Sequence, residues 1–173
     1  EFEWNDLEAL SSIMSENEGK IAALVLTPYH HAAFAPSELP APGFWAAVEE
    51  LCQRYGILLV LDDVRCGGRL HEGGSHRYFG FTPDLAVYSK ALGNGYASSA
   101  FVGKESFRKA SMEVFLTGSC WNDAVAMAAA LKSLELSQRD DAAKSVLEKG
   151  KQLTEGLERA AAKHGRNLRM TGP

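Results

Sequence analysis

The sequence predicts an α/β fold built on a mainly parallel sheet, and three observations carry that expectation. Two apolar runs, Ile21–Leu26 and Ile57–Leu61, bracket a stretch with helical spacing. Strand, helix, strand in that order is a βαβ unit, whose strands run parallel with a right-handed connection. Both runs are continuously apolar rather than alternating, the pattern of a sheet covered by helices on both faces. The balance of 46% hydrophobic and 23% charged residues is that of an ordinary globular chain, and 173 residues suffice for one domain with a substantial core.

Taken in order, Asn5-Asp6 is positioned to cap a first helix through Leu7, Leu10 and Met14, which Gly19-Lys20 ends. Ile21–Leu26 is a buried strand closed by Thr27-Pro28. A loop from Tyr29 to Gly43 carries His30, His31 and the prolines at 36, 40 and 42; its length favours a functional loop over a plain connection. Phe44, Val48, Leu51, Cys52 and Tyr55 recur at helical spacing, with Gly56 as the stop. Ile57–Leu61 is the second strand, and Gly67-Gly68 to Gly73-Gly74 marks a glycine-rich stretch. Leu85–Tyr88 and Ala100–Val102 are further short strands. Asn122-Asp123 caps an alanine-rich helix over Ala124–Leu136 expected to pack closely, and a long amphipathic helix follows with Val146, Gly150, Leu153, Leu157 and Ala160 on one stripe.

Several function classes are disfavoured at this level. A net charge of -4 and no Lys/Arg block argue against a nucleic-acid binder. No apolar run approaches the roughly 20 residues that span a bilayer. Cys52, Cys66 and Cys120 are widely spaced and odd in number, which suits neither a disulfide framework nor a CxxC metal site, so a reducing cytoplasm is expected. The chain starts at Glu1 without a Met or a signal-peptide pattern and stops at Pro173 just as an apolar segment begins, so it reads as a piece of a longer protein.

The chemistry concentrates at two strand ends. Lys90 follows the Leu85–Tyr88 run and precedes Gly93 and Gly95; Asp62 and Asp63 close the Leu58–Leu61 run, 28 positions upstream of the lysine. Ligands of open α/β sheets sit beyond the carboxyl ends of the strands. A lysine and an acid there are what an enzyme needs to hold pyridoxal phosphate: Lys90 forms a Schiff base with the aldehyde and later moves protons, and Asp62 keeps the pyridine nitrogen protonated. Val64, two residues beyond Asp62, is placed to pack against the flat ring. Singly, each feature has an ordinary account, since acids at strand ends often cap the next segment and a lysine before a loop is usually solvated. The combination, in this order, is what points to the cofactor.

Asp62-Asp63-Val64-Arg65-Cys66-Gly67-Gly68-Arg69 resembles the D-[DE]-V-x-x-G-x-R segment of class III pyridoxal-phosphate aminotransferases, the group containing glutamate-1-semialdehyde aminomutase. Gly80-Phe81-Thr82-Pro83-Asp84 with Lys90-Ala91-Leu92-Gly93-Asn94-Gly95 resembles their G-x-x-P-D-(x)n-K-x-[LI]-[GA]-x-G block, and Gly118-Ser119 their G-[TS] segment. The resemblance implies the large α/β domain of the fold type I enzymes, incomplete here at both ends, with residues 1–165 as the cofactor-binding domain and 166–173 as the start of a small C-terminal domain. It implies a homodimer with shared active sites, Lys90 as the catalytic lysine, Asp62, Val64 and Ser119 as cofactor-binding residues, and Ser119 reaching the phosphate in the partner subunit. Asp63, in place of the commoner Glu, is expected to order the site from behind. Thr27 replaces the Glu of a common E-P pair, and Gly68, Asn94 and Tyr96 also depart from the pattern. The implied function is transfer of an amino group between an amino acid or amine and an oxo acid or aldehyde, or within one molecule. The alternative is a non-catalytic remnant, because the phosphate loop and ring-stacking aromatic of the family lie outside these residues; a nucleotide-binding α/β domain is a weaker option.

Other residues are expected to play lesser parts. His30-His31 lacks a third ligand at metal spacing, so no metal site is expected, but one of the pair is placed to line a pocket wall. Arg69 is expected to anchor its loop on an internal acid, with Arg65 a candidate for a substrate carboxylate. His71, Glu72 and His76 are expected to face solvent, and Cys66 to be a spectator thiol.

Overall fold

The computed structural model describes residues 1–31 and 35–173; part of the long loop expected after the first strand, residues 32–34, lies outside them. Four strands, β1 (Ala23–Leu26), β2 (Leu58–Asp62), β3 (Leu85–Tyr88) and β4 (Ala100–Gly103), form one sheet in the order β1-β2-β3-β4. The first three are parallel and β4 returns antiparallel to β3. The expected mainly parallel α/β sheet is therefore present, with the βαβ unit at its start.

Helix α1 (Leu7–Glu16) begins where Asp6 accepts the Ala9 N–H at 2.9 Å, as its sequence predicts. Helix α2 (Phe44–Tyr55) stops at Gly56, whose φ of +64° lets the Ile57 N–H reach back to the Cys52 carbonyl at 2.9 Å. Both helices place their apolar stripes against the same side of the sheet. Leu10, Met14, Phe44, Trp45, Val48, Leu51 and Cys52 meet Leu59, Leu61 and Ala86 in one core, with the Trp45 ring stacked on Phe81 at 3.8 Å. Each large apolar side chain so buried contributes about 1.5–3 kcal/mol.

The sheet differs from expectation in its cover. Residues paired side by side share a face and neighbours along a strand alternate, so Leu61, Ala86 and Val102 point one way and Asp62, Val87 and Phe101 the other. The first face carries the core. On the second, Val25 is 61% exposed and Phe101 54%. Within the described residues α1 and α2 supply their apolar stripes to the Leu59–Leu61 side, while on the other face Ser111, Met112 and Glu113 of the short helix after β4 only border a cavity beside Val87 and Phe101. Continuous apolar strands encode two covered faces; this chain's described elements bury one and leave Val25 and Phe101 of the other more than half exposed.

Toward the C-terminus, short helices α3 (Ser75–Phe79) and α4 (Arg108–Glu113) were not legible as periodic patterns. Asp123 caps α5 (Ala124–Arg139) through the Val125 and Ala126 N–H groups, three residues longer than predicted. Only Ala126 and Ala130 of α5 are buried. The long helix α6 (Ala142–Lys163) has the expected stripe, yet Val146, Leu153 and Leu157 remain exposed. Close packing was expected of the alanine-rich α5, whose Ala126 and Ala130 are buried and whose Ser133 hydroxyl donates to the Ala91 carbonyl at 3.2 Å. No described helix is long and apolar enough to cross a membrane.

Candidate active site at the ends of β2 and β3

Asp62 ends β2 and lies beside Val87 of β3 in register. Lys90 is three residues beyond Val87. Strands about 4.8 Å apart rising about 3.3 Å per residue put the two Cα atoms no more than roughly 11 Å apart. The acid and the amine thus flank the gap at the carboxyl ends of two adjacent parallel strands, where ligands of such sheets bind.

Local geometry fixes each partner. Asp62 is half-buried, and its Oδ1 accepts the Val64 N–H at 3.1 Å, turning the chain immediately after the strand and setting Val64 next to the carboxylate. Lys90 adopts φ +45°, a left-handed conformation uncommon for a residue with a Cβ. The chain leaves β3 through this turn, held by the Leu92 N–H on the Ser89 carbonyl and the Asn94 N–H on the Lys90 carbonyl, both at 3.0 Å. The Lys90 side chain is exposed and forms no ion pair among the described residues. A lysine held in such a turn carries backbone strain that glycine would not.

The neighbouring acid has a different role. Asp63 points to the helix-covered face and is fully buried, accepting the Ser75 N–H at 2.8 Å and the Ser75 hydroxyl at 2.5 Å. Burial pushes its carboxyl upward and the two Ser75 hydrogen bonds oppose that shift. This contact ties the glycine-rich stretch back beneath β2. The Tyr88 ring fills the space between: a Cβ at Gly67 would lie 2.5 Å from it and 2.8 Å from the Asp63 carbonyl, so only glycine fits there. Ser75 and Tyr88 are site-building residues that the sequence reading missed, since neither the separation of Ser75 from Asp63 nor the pairing of Tyr88 with glycines forms a local pattern. Asp84 of the Pro83-Asp84 pair also acquires a structural role, accepting the Leu59 N–H at 2.9 Å and the Lys104 ammonium at 2.7 Å.

The loop after β1 divides its two histidines. His30 makes a backbone bridge with Glu38, whereas His31 turns toward Arg65, whose Nη1 lies 2.9 Å from the His31 Nδ1 and 3.1 Å from its carbonyl. Tyr29 meets the His31 ring edge-on at 5.1 Å; its hydroxyl is pushed up to about 12 by burial and then by the adjacent Cys66. His31 is therefore the member of the pair that lies at the site.

Other expectations are corrected. His76 does not face solvent: its ring lies edge-on to Phe81, and its Nδ1 is buried without a partner. Arg69 makes no ion pair among the described residues, because Asp63, the nearest internal acid in sequence, is engaged by Ser75. Ser119, expected to act toward a partner subunit, sits in an exposed stretch before α5. A cavity of about 980 Å³ is bordered by Lys90, Tyr88 and Arg69 but not by Asp62, Val64 or Ser119. It runs from the Lys90 turn and β4 toward helices α5 and α6, where Ser133 and Val146 line it. No cluster of three metal-ligating groups occurs among the described residues.

The sequence model of the class III aminotransferases matches residues 3–173. The chain belongs to this family. It is 36% identical to 3-aminobutyryl-CoA aminotransferase of Cloacimonas acidaminovorans over 99% of its own length and 42% of that protein's. Glutamate-1-semialdehyde 2,1-aminomutase of Syntrophobacter fumaroxidans is also 36% identical, over 94% of this chain and 38% of the relative. Among solved structures, the internal aldimine form of the FumI protein of a Sphingopyxis species superposes with a TM-score of 0.94 at 36% identity, covering 99% of this chain and 42% of that one. The class III chain described here thus spans about four-tenths of the length of the relatives it matches. That likeness supports a partial fold type I domain, as the sequence led us to expect.

Proposed function

We propose that the protein carrying this chain uses pyridoxal phosphate to move an amino group between an amino acid or amine and an oxo acid or aldehyde, or within one molecule as an aminomutase does. The observation that carries this reading is the placement of Asp62 and Lys90 at the ends of adjacent, registered parallel strands. The donor set fits the cofactor: a half-buried carboxylate for a protonated ring nitrogen, an exposed amine for an aldehyde, and the Val64 side chain for a flat face. When bound, pyridoxal phosphate supplies a ring that accepts negative charge from the substrate carbon.

The chain's own residues supply the rest. Asp62 holds a proton on the ring nitrogen by ion pairing. Its second lone-pair contact, to the Val64 N–H, fixes the carboxylate plane. Lys90 holds the aldehyde through Nζ and, once displaced by a substrate amine, carries a proton at that atom between neighbouring carbons. The left-handed turn at Lys90 orients the side chain independently of strand alternation. Asp63 and Ser75 hold the turn after β2 from behind, which is a positioning role.

Ser119 is the residue we assign to the cofactor phosphate of a partner subunit in a homodimer with shared active sites. Its exposed position before α5, with Phe115 88% exposed nearby, supports contact outside the chain. We assign residues 1–165 to the cofactor-binding domain and 166–173, which lack regular structure, to the domain that follows. Three free thiols support a reducing, cytoplasmic setting.

The test is absorbance of the full-length protein mixed with pyridoxal phosphate. A visible band that disappears in Lys90→Ala, together with amine-dependent bleaching, is the expected result. No Lys90-dependent band in the full-length protein would overturn the assignment.

A further inference from the structure

The turn that presents Lys90 is held from outside by one side chain. Within the turn, the Leu92 N–H meets the Ser89 carbonyl and the Asn94 N–H the Lys90 carbonyl, both at 3.0 Å. The Ser89 hydroxyl donates to the Ser98 carbonyl, also at 3.0 Å. The Ala91 carbonyl, one residue past the lysine, instead accepts the hydroxyl of Ser133 in α5 at 3.2 Å, across 42 positions. Among the described residues this is the one side-chain hydrogen bond that ties the turn to another element.

Ser133 makes this contact against its local alternative. A hydroxyl inside a helix ordinarily donates to a carbonyl of its own preceding turn, and Ser15, Ser111 and Thr154 each do so three residues back. Ser133 does not. It lies seven positions beyond Ala126 and three beyond Ala130, the two buried residues of α5, so it shares their face and is half-buried on it. Gly68, in the segment that follows Asp62, also lies against Ala91: a Cβ built on it would sit 3.9 Å from the Ala91 Cβ. Ala91 therefore touches both the chain leaving β2 and helix α5, next to the residue whose φ of +45° is the costly feature of the turn. We propose that Ser133 is a positioning residue for Lys90, whose hydrogen bond to the Ala91 carbonyl holds the left-handed turn and so sets where the lysine amine stands relative to Asp62. The inference rests on the amino-transfer reading of Lys90.

The consequence is kinetic. An amine that attacks a carbonyl must stay in line with it, and a misplacement of about 1 Å can cost about a hundredfold in rate. With its proton given to Ala91, the Ser133 hydroxyl has no part in holding a ligand, so its loss falls on the rate of the Lys90 step and leaves affinity in place. Alanine forms helix better than serine, so Ser133→Ala removes the anchor without weakening α5. Ser133→Thr keeps the hydroxyl and is the rescue.

Two measurements on the full-length protein test this. The first is amide hydrogen exchange without cofactor. Exchange at Leu92 and Asn94 is expected to be at least about fivefold faster in Ser133→Ala than in the unsubstituted protein or Ser133→Thr, with Val87 of β3 unchanged. Equal rates at Leu92 and Asn94 overturn the proposal. The second follows the visible band as pyridoxal phosphate is added over a range of concentrations. In Ser133→Ala the limiting rate of band formation is expected to fall about tenfold at an unchanged half-saturating concentration, and Ser133→Thr should recover it to within about twofold. An unaltered limiting rate, a change in half-saturation alone, or a loss that threonine does not repair overturns the proposal while the band itself remains. A missing Lys90-dependent band in the unsubstituted protein overturns the amino-transfer reading and this inference with it, so the two failures are distinguishable.

Discussion

The Asp63 carboxylate takes both hydrogen-bond donors of Ser75, its N–H at 2.8 Å and its hydroxyl at 2.5 Å, with both residues fully buried. One side chain thereby closes the glycine-rich stretch onto the turn that presents Asp62. Removing the acceptor strands two buried donors, so Asp63→Ala in the full-length protein should cost about 2–3 kcal/mol in denaturant unfolding, and Ser75→Ala about 1–2 kcal/mol. The double variant should fall short of the sum by about 1 kcal/mol or more, which a double-mutant cycle measures. Additive effects would mean that the two residues do not act as a pair.

Burial raises the Asp63 carboxyl above its ordinary value, and that sets a pH signature opposite to the usual carboxylate. The folded protein holds this proton where the unfolded chain has already released it, so the contribution of Asp63 to stability declines as pH rises from about 3.8 through the folded value. Asp63→Asn, which cannot ionise, should flatten that part of the curve: its stability relative to wild type should improve steadily as pH is raised above about 4. A constant difference across that window would rule the titration out.

Asp62 lends itself to separating chemistry from structure. Asn retains an oxygen for the Val64 N–H but cannot hold a proton on a cationic ring nitrogen. Asp62→Asn should leave unfolding stability within about 0.5 kcal/mol of wild type while lowering turnover by about a hundredfold or more. Asp62→Ala should show the same catalytic loss plus about 1 kcal/mol of destabilisation from the lost turn. Equal turnover in Asp62→Asn and wild type would take Asp62 out of the ring-binding role.

These residues also show where the sequence was readable. Asp62, Val64 and Lys90 stood out because strand ends concentrate function and the strands are short, apolar and bounded by glycines. The caps at Asp6, Gly56 and Asp123 were legible because capping is a contact within a few residues. Ser75 was not, since its partner lies twelve positions back and buried polar pairs obey no period. His31 was only half legible: the loop marked it, but only the fold brings Arg65 to its ring and sends His30 to Glu38 instead. The cover of the sheet was legible only as a requirement, because an apolar strand records that it is to be covered and not which segment covers it.

His31 and His76 both hold their rings below the ordinary histidine value, His31 by burial and then the Arg65 charge, His76 by burial and then the Arg77 charge. The unfolded chain takes up protons at pH values near 6.5 that the folded protein refuses, so stability is full above that value and declines as pH falls below it toward the folded pKa. His76→Phe, which preserves an aromatic against Phe81, should reduce the loss of unfolding free energy between pH 7.5 and 5.5. An unchanged loss would show that His76 protonates equally in both states.

At Lys90, function and stability are expected to pull apart. With φ at +45° the residue pays for its conformation by about 1–2 kcal/mol, a cost that falls on any side chain with a Cβ and not on glycine. Lys90→Ala removes the amine and keeps that cost; Lys90→Gly removes both. In apoprotein, where no bond to cofactor stabilises the lysine, Lys90→Gly should unfold at a free energy about 1 kcal/mol higher than Lys90→Ala, less the added backbone entropy of glycine in the unfolded chain. Both variants should lack the visible cofactor band and all turnover. Were Lys90→Ala the more stable of the two by a clear margin, the left-handed turn would impose no cost, and the lysine's place there could not be ascribed to its chemistry overriding its backbone preference.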